Sequence, residues 1–239
     1  MLSKNQVRFI NSLKRKKIRK SEGLFLAEGE KLILDLLNSD IQLDKIFSLT
    51  EFEYPESGKV QQISERELRS ISSLTTPNTM LAIFHVPETK PVQKKGLALA
   101  LDEINDPGNL GTIIRLCDWF AIPQIICSKN TVDCYNPKVV QSSMGSLARV
   151  QINYLDLAEH LKQEERTIYG TFMEGQSLYK TSFAEDGVLV MGNEANGISD
   201  EIRSCIDKEL GIPRFGSQNQ TESLNVAMAT AIFLSEMRR

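Results

Sequence analysis

From Gly187 to Arg239 the chain reads GVLVMGNEANGISDEIRSCIDKELGIPRFGSQNQTESLNVAMATAIFLSEMRR. Two apolar runs, Val188 to Met191 and Glu209 to Ile212, each stop abruptly in a loop of small and polar residues. Ser223-Leu224-Asn225 then opens a long apolar helix. Short continuous apolar runs of this kind read as strands buried on both faces. Parallel α/β sheets build ligand sites outside the carboxyl ends of such strands. The rest of the chain therefore has to supply further strands, the helices that cover them, and the side chains that complete that edge.

Taken in order, Leu24 to Leu37 combines a short apolar run with a helix carrying Leu32, Leu36 and Leu37 on one side. Leu43 to Leu49, Val60 to Ile63 and Met80 to Val86 read as strands. Ser64 with Glu67 forms a capping box that starts a helix ahead of Leu68 and Ile71. Residues 1–86 are thus expected to form a small α/β domain. His85, in its last strand, reads as a packed or edge histidine rather than a ligand. Residues 87–96 (PETKPVQKKG), with two prolines and mixed charge, read as a linker. From residue 97 the pattern changes: Leu97 to Leu101 is a continuous apolar strand, and helix and strand alternate from there to residue 239. The helix signals are Leu110 to Phe120, the stretch after Asn136-Pro137, and Asp156 to Glu165. The strand signals are Gln124 to Cys127, Val150 to Asn153 and Thr167 to Phe172. That order predicts a second domain, 97–239, with a parallel sheet covered by helices on both faces.

The 239 residues are 41% hydrophobic and 25% charged, enough to bury a core without staples. No apolar run approaches the ~20 residues of a membrane helix, and the amino terminus lacks a secretory signal pattern. Cys117, Cys127, Cys134 and Cys205 show no CxxC pairing, which argues against a structural metal or a disulfide framework and favours a reducing cytoplasm. Net charge is −3, yet Lys4, Arg8, Lys14, Arg15, Lys16, Lys17, Arg19 and Lys20 all precede the first acid, Glu22. Such asymmetry is expected of a phosphate-binding footprint or of a solvated terminal helix, with a mitochondrial transit peptide the weaker alternative because Val7, Phe9, Ile10 and Leu13 run on without an obvious cleavage break.

Three stretches could carry chemistry. Asp102 to Gly111 (DEINDPGNLG) sits between the Leu97 strand and a helix in which Arg115 stands among Ile113, Ile114, Leu116 and Trp119. A guanidinium in apolar company needs an anionic partner, a carboxylate of the protein or a phosphate, and read alone an ion pair within the helix is the simpler expectation. Gly192-Asn193-Glu194-Ala195-Asn196-Gly197 has glycines spaced as in a phosphate loop, but Ile198-Ser199 stands where Lys-Ser/Thr would meet the phosphates, and GxGxxG is absent. Those departures count against a nucleotide-binding enzyme of another class. Glu194, a carboxylate at a strand end, is the stronger candidate within that loop. In the third stretch, Ile212-Pro213 precedes Ser223, which suits a helix N-cap.

In order and spacing, Asn105-Asp106-Pro107-Gly108-Asn109-Leu110-Gly111 with Arg115, Leu189-Val190-Met191-Gly192-Asn193-Glu194, and Ile212-Pro213 with Ser223-Leu224-Asn225-Val226-Ala227 resemble the SpoU, or TrmH, family of RNA methyltransferases. The run from Asn136-Pro137-Lys138 to Ser143-Met144-Gly145-Ser146 is similar as well. The resemblance implies an α/β fold whose carboxyl-terminal part is a deep trefoil knot, preceded by a small ribosomal-protein-like RNA-binding domain. It also implies a homodimer, S-adenosylmethionine as cofactor, and methyl transfer to a ribose 2′-hydroxyl in RNA, rRNA ahead of tRNA. By this resemblance Arg115, Asn109, Glu194, Ser223 and Asn225 are catalytic. Met191, Gly192, Asn193, Gly197, Ile212, Ser223 and Leu224 hold the cofactor, with the adenosine against Met191, Ile212 and Leu224 mostly through backbone groups. Lys14, Arg15, Lys16, Lys17, Arg19 and Lys20 are the expected RNA contacts, and no metal or membrane is implied.

A guanidinium is a poor base, its pKa lying above ~12. Arg115 therefore reads as a bidentate phosphate clamp, with a phosphate oxygen or water accepting the hydroxyl proton. Ala195 departs from the glycine usual after the glutamate, and alanine would be strained there if the position requires φ > 0. The alternative reading is an RNA-binding module with a degenerate, non-catalytic cofactor pocket.

Overall fold

The computed structural model describes residues 1–216 and 223–239; residues 217–222 of the loop expected before Ser223 lie outside the described residues. The chain divides into two compact units, Met1–Glu88 with Asp133–Arg149, and Thr89–Val132 with Val150–Arg239.

The first unit is a four-stranded sheet, β1 (Leu24–Glu28), β2 (Leu43–Ser48), β3 (Val60–Gln62) and β4 (Met80–His85), in the order β1-β4-β2-β3. β4 runs antiparallel to both neighbours and β2 parallel to β3. Alternation along β1 separates two faces. Leu24 and Leu26 join a core with Ile10 and Leu13 of the amino-terminal segment and with Leu68 and Ile71 of α4 (Glu65–Ile71). Here the expected capping box is present: the Ser64 hydroxyl accepts from Glu67 N, and the Glu67 carboxylate accepts from Ser64 N at 2.9 Å.

Phe25 points the other way. Its ring lies 5.8 Å from Phe84 and 4.8 Å from Tyr135. Tyr135 belongs to the segment Asp133–Arg149, which carries α6 (Pro137–Ser143) and packs with the first unit although it follows β6 in the chain. A bulky aromatic at one strand position thus recruits a segment more than a hundred residues away.

The second unit is a six-stranded parallel sheet in the order β10-β8-β9-β5-β6-β7. Its strands are β5 (Leu97–Leu101), β6 (Gln124–Ser128), β7 (Gln151–Leu155), β8 (Thr167–Ser177), β9 (Gly187–Met191) and β10 (Lys208–Gly211). Ala98, Ala100, Val188 and Val190 face α7 (Leu157–Lys162) and α8 (Asp200–Arg203), whose Leu157, Leu161 and Ile202 complete one core. Leu97, Leu99 and Leu101 alternate to the opposite face, and α5 (Pro107–Trp119) packs on β6 and on α9 (Val226–Met237).

From β5 the chain winds outward through β6 to β7, then crosses to add β8, β9 and β10 on the other side. The order therefore reverses between β5 and β9, which run in register from Leu97↔Gly187 to Leu101↔Met191. That reversal is where a crevice opens at the carboxyl edge of such sheets. β8 extends five residues beyond the expected Phe172 because Gln176 and Ser177 pair with Leu210 and Gly211 of β10 across a register shift at Glu209/Leu210. Backbone pairing at a bulge leaves no apolar signature to read.

Candidate active site

Both strands at the reversal end in loops that lock together. Asp102, buried just past β5, accepts from Ser199 N at 2.8 Å, and Asp102 N donates to Met191 O at 2.9 Å. Asn193 Nδ2 donates to Glu103 O at 2.7 Å. Its Oδ1 accepts from Ala195 N and Asn196 N at 2.9 and 3.1 Å, and its main chain exchanges two hydrogen bonds with Gly197, 2.9 Å each. This makes 193–197 a closed turn. Gly192 lies so close to the Gly197–Ile198 backbone that no β-carbon fits, and Gly197 has φ +69°. Ala195 does not have positive φ, so the strain considered for alanine at this position does not arise. Asn193, expected to touch a cofactor, uses its side-chain amide to shape the loop.

The turn presents Glu194 outward. Its Oε1 accepts from Asn109 Nδ2 at 2.9 Å, and Asn109 Oδ1 accepts from Asn225 Nδ2 at 2.9 Å. Each partner is fixed by the start of a helix. Asp106 caps α5 by accepting from Asn109 N at 2.9 Å, with Pro107 at the first position. Asn225 caps α9, its Oδ1 accepting from Ala227 N at 3.0 Å and Met228 N at 3.2 Å. The cap is therefore Asn225 and not Ser223, because the amide oxygen reaches both open N–H groups two and three residues on. Ser223 stands exposed, two residues before that cap.

Arg115 lies about 9 Å farther along the α5 axis than Asn109, at ~1.5 Å per residue. It shares a helix face with Gly108, Gly111 and Thr112. Its side chain is exposed, not enclosed by the apolar neighbours in sequence, and no ion pair to it forms among the described residues, contrary to the helix pair expected from sequence. Small neighbours and an exposed, unneutralised guanidinium leave it able to take an external oxyanion.

Of the expected cofactor contacts, Met191 is buried at the end of β9, so only its main chain faces the edge. Ile212 is half-buried after β10, and Leu224 is 50% exposed ahead of α9. Half-exposed aliphatic side chains beside strand-end backbone suit a flat, largely apolar heteroaromatic group such as the adenine of S-adenosylmethionine, so the residues present fit that cofactor. Asp102, the buried carboxylate that pins both loops, was not singled out from sequence; its position directly after a buried strand was the available signal.

Among the amino-terminal cations, two are corrected. Arg19 is 3% exposed, bonding Asp133 through Nε (3.0 Å) and Nη2 (2.5 Å) and donating from Nη1 to Leu13 O and Lys14 O. Lys14 is half-buried and donates to Ser72 O at 2.7 Å, with burial lowering its pKa. Both hold the first unit together, because α1 (Lys4–Ser12) and α2 (Lys16–Glu22) pack into its core. Arg15, Lys16, Lys17 and Lys20 are exposed.

With this geometry in view, a family model described as the SpoU rRNA Methylase family matches residues 96–235, and one described as an MRM3-like substrate binding domain matches residues 4–82. The chain is 32% identical over 245 residues to the 23S rRNA (guanosine(2553)-2'-O)-methyltransferase RlmP of Bacillus subtilis, covering 99% of this chain and 97% of that protein. Among solved structures it resembles a TrmH-family protein from Porphyromonas gingivalis, with TM-score 0.89 and 39% identity over 100% of this chain and 98% of the other. It also resembles an AdoMet-bound rRNA methyltransferase from Sinorhizobium meliloti, with TM-score 0.87 and 27% identity over 100% and 96%.

Proposed function

This chain belongs to the SpoU rRNA methylase family, and from that we propose that it transfers a methyl group from S-adenosylmethionine to a ribose 2′-hydroxyl in RNA, with ribosomal RNA as the substrate. The observation that carries the reading is the Glu194–Asn109–Asn225 relay, which joins three distant stretches at the sheet's reversal point. When bound, the cofactor supplies an electrophilic methyl group. Ile212, Leu224 and the backbone at Met191 and Gly192 hold it, and the relay keeps the loop before α9 at the site.

Arg115 clamps a phosphate beside the target ribose and sets the 2′-oxygen in line, since orientation supplies much of the rate in such displacements. The proton leaves to a phosphate oxygen or to water, because the guanidinium stays charged. Ser223 fixes the nucleotide. The first unit holds the RNA, as the description of its matching family model supports.

The same reading makes the segment from residue 187 a deep trefoil knot and the chain a cytoplasmic homodimer. Supporting the dimer, Trp119 of α5 and Met228 of α9 are 85% and 63% exposed on two helices that pack together. The deciding experiment pairs calorimetry with S-adenosylmethionine and methylation of ribosomal RNA, for wild type and Arg115→Ala. The variant is expected to retain the heat of cofactor binding and lose methylation. Absence of heat in wild type would instead support a binding module with a degenerate pocket, and wild-type turnover by the variant would remove Arg115 from the mechanism.

A further inference from the structure

The first unit contains a cavity of about 870 Å³, bounded by the turn between β1 and α3 (Glu30–Leu37), by residues 76–79, by α4, and by Gln141 and Met144 of the α6 segment. That volume lies within the ~300–1,000 Å³ of small-ligand sites. Three features of its lining bear on a ligand, alongside Thr76, Asn78 and Thr79 and the exposed carboxylates of Glu30 and Glu65 at the surface. Leu68, Pro77 and Met144 give it apolar surface. Lys31 and Arg69 stand exposed at its margin, with no ion pair among the described residues. Asp35 is a half-buried carboxylate held against the main chain of Gly145, where a β-carbon would lie 2.6 Å from Oδ2. No donor among the described residues meets that carboxylate. The neighbouring Glu28, by contrast, accepts from Ser72 Oγ and Ser73 N, at 2.5 and 2.6 Å.

A half-buried carboxylate without a donor favours a ligand carrying adjacent N–H groups. The aliphatic wall favours a flat ring, and the two cations at the rim favour phosphates on either side of it. One chemistry supplies all three: an unpaired nucleotide, its base turned inward with its Watson–Crick edge available. We propose that this cavity seats one unpaired, N–H-donating base of the RNA substrate, guanine foremost, with Asp35 accepting from its edge and Lys31 and Arg69 on the flanking phosphates. The proposal rests on the methyltransferase reading for its choice of RNA. It moves the main RNA contact of this unit away from the amino-terminal cations. It also gives the α6 segment a reason to pack here: Gln141 and Met144 come from the stretch between β6 and β7 and complete a cavity otherwise built by residues 28–79.

The test titrates full-length protein into fluorescein-labelled r(GU)₃, r(U)₆ and r(A)₆, and into labelled octalysine. The hexamer containing guanine is expected to bind at least ~5-fold tighter than r(U)₆, since one well-placed paired contact discriminates bases by that order. Asp35→Asn should erase the preference while leaving r(U)₆ affinity unchanged, and Asp35→Glu should restore part of it. The double variant Lys31→Ala/Arg69→Ala should weaken all hexamers together and lower the slope of log affinity against log salt by about 1.4, two phosphates at ~0.7 each for single strands. Melting curves establish that each variant is folded. An undiminished guanine preference in Asp35→Asn overturns the proposal. So does octalysine binding tighter than every RNA and released by Asp35→Asn, which would make the cavity a site for a basic peptide. S-adenosylmethionine calorimetry on the same wild-type sample separates the two readings: missing heat sinks the methyltransferase reading, whereas cofactor binding with indifferent hexamers sinks the cavity alone.

Discussion

Asn109 Nδ2 donates to Glu194 Oε1 at 2.9 Å across 85 positions of sequence. The bond spans the β5/β9 reversal, so it couples the first turn of α5, after one strand, to the loop after the other. Because Asn109 also accepts from Asn225, its amide orientation is set from both sides.

Glu194→Gln should keep the shape and lose the charge. The substituted amide can turn a donor toward Asn109 Nδ2, so the relay loses its direction. A hydrogen bond to a charged group contributes about 1.5–3 kcal/mol when sheltered. Glu194 is exposed, which places the effect at the lower end, a fall of about tenfold in methylation with cofactor binding retained. Asn109→Ala with Glu194→Ala should be less than additive, because both variants break the same relay. Additive losses in single-turnover methylation would mean that the two residues act separately.

The amino-terminal cations divide by burial, and the division is testable. Arg19→Met removes the partner of Asp133 inside the first unit and should lower stability by about 3 kcal/mol, the order found when one member of a buried pair is lost. Lys16→Ala with Lys17→Ala and Lys20→Ala should leave the denaturation midpoint unchanged, since all three are exposed. Deleting residues 1–20 would confound the two effects, because Ile10 and Leu13 are core residues. Denaturant titration of the two substituted proteins separates structural cations from surface ones.

Ala195 bears on the loop proposed to hold the cofactor. With φ negative and its N–H donating to Asn193 Oδ1, the position gains nothing from glycine. Ala195→Gly should cost about 0.4–1 kcal/mol through the freer unfolded chain and leave S-adenosylmethionine affinity within about twofold. Tighter binding of the cofactor by the glycine variant, read by calorimetry, would show that alanine does restrict the pocket.

Strands were the most legible part of the sequence, because Leu97–Leu101 and Gly187–Met191 are buried on both faces and their apolar runs have no competing reading. Ser64 and Glu67 were legible for a similar reason, since a capping box is a local pattern. What escaped was long-range. Nothing near Tyr135 signals that its ring packs on Phe25, so the contact of the α6 segment with the first unit left no local pattern to read. Ser223 and Asn225 are both good caps by composition; only the backbone decides which one reaches the open N–H groups of α9. Arg115 was misread as enclosed because neighbours in sequence are not neighbours around a helix. The fold could thus be read from burial, and spacing picked out Asn109, Glu194 and Asn225, which the structure brings together, whereas the contacts of Arg19, Asp102 and Asn193 involve residues outside their own stretch of sequence.

The last prediction concerns acid. Glu67 is held well below its ordinary 4.5, to about 2, by hydrogen bonds from the main-chain N–H of Ser64 and Leu2 and then from the Ser64 hydroxyl. The folded carboxylate therefore resists protonation while the unfolded one takes a proton first. Its contribution is present above the unfolded value near 4.5 and is lost as pH falls toward 2. Because one of those N–H donors belongs to Leu2, the loss should loosen the start of the chain on α4 as well as the capping box itself. Thermal midpoints recorded at pH 5, 3.5 and 2 should fall more steeply for wild type than for Glu67→Gln, which cannot titrate. Parallel curves for the two proteins would mean that the acid transition belongs to other carboxylates.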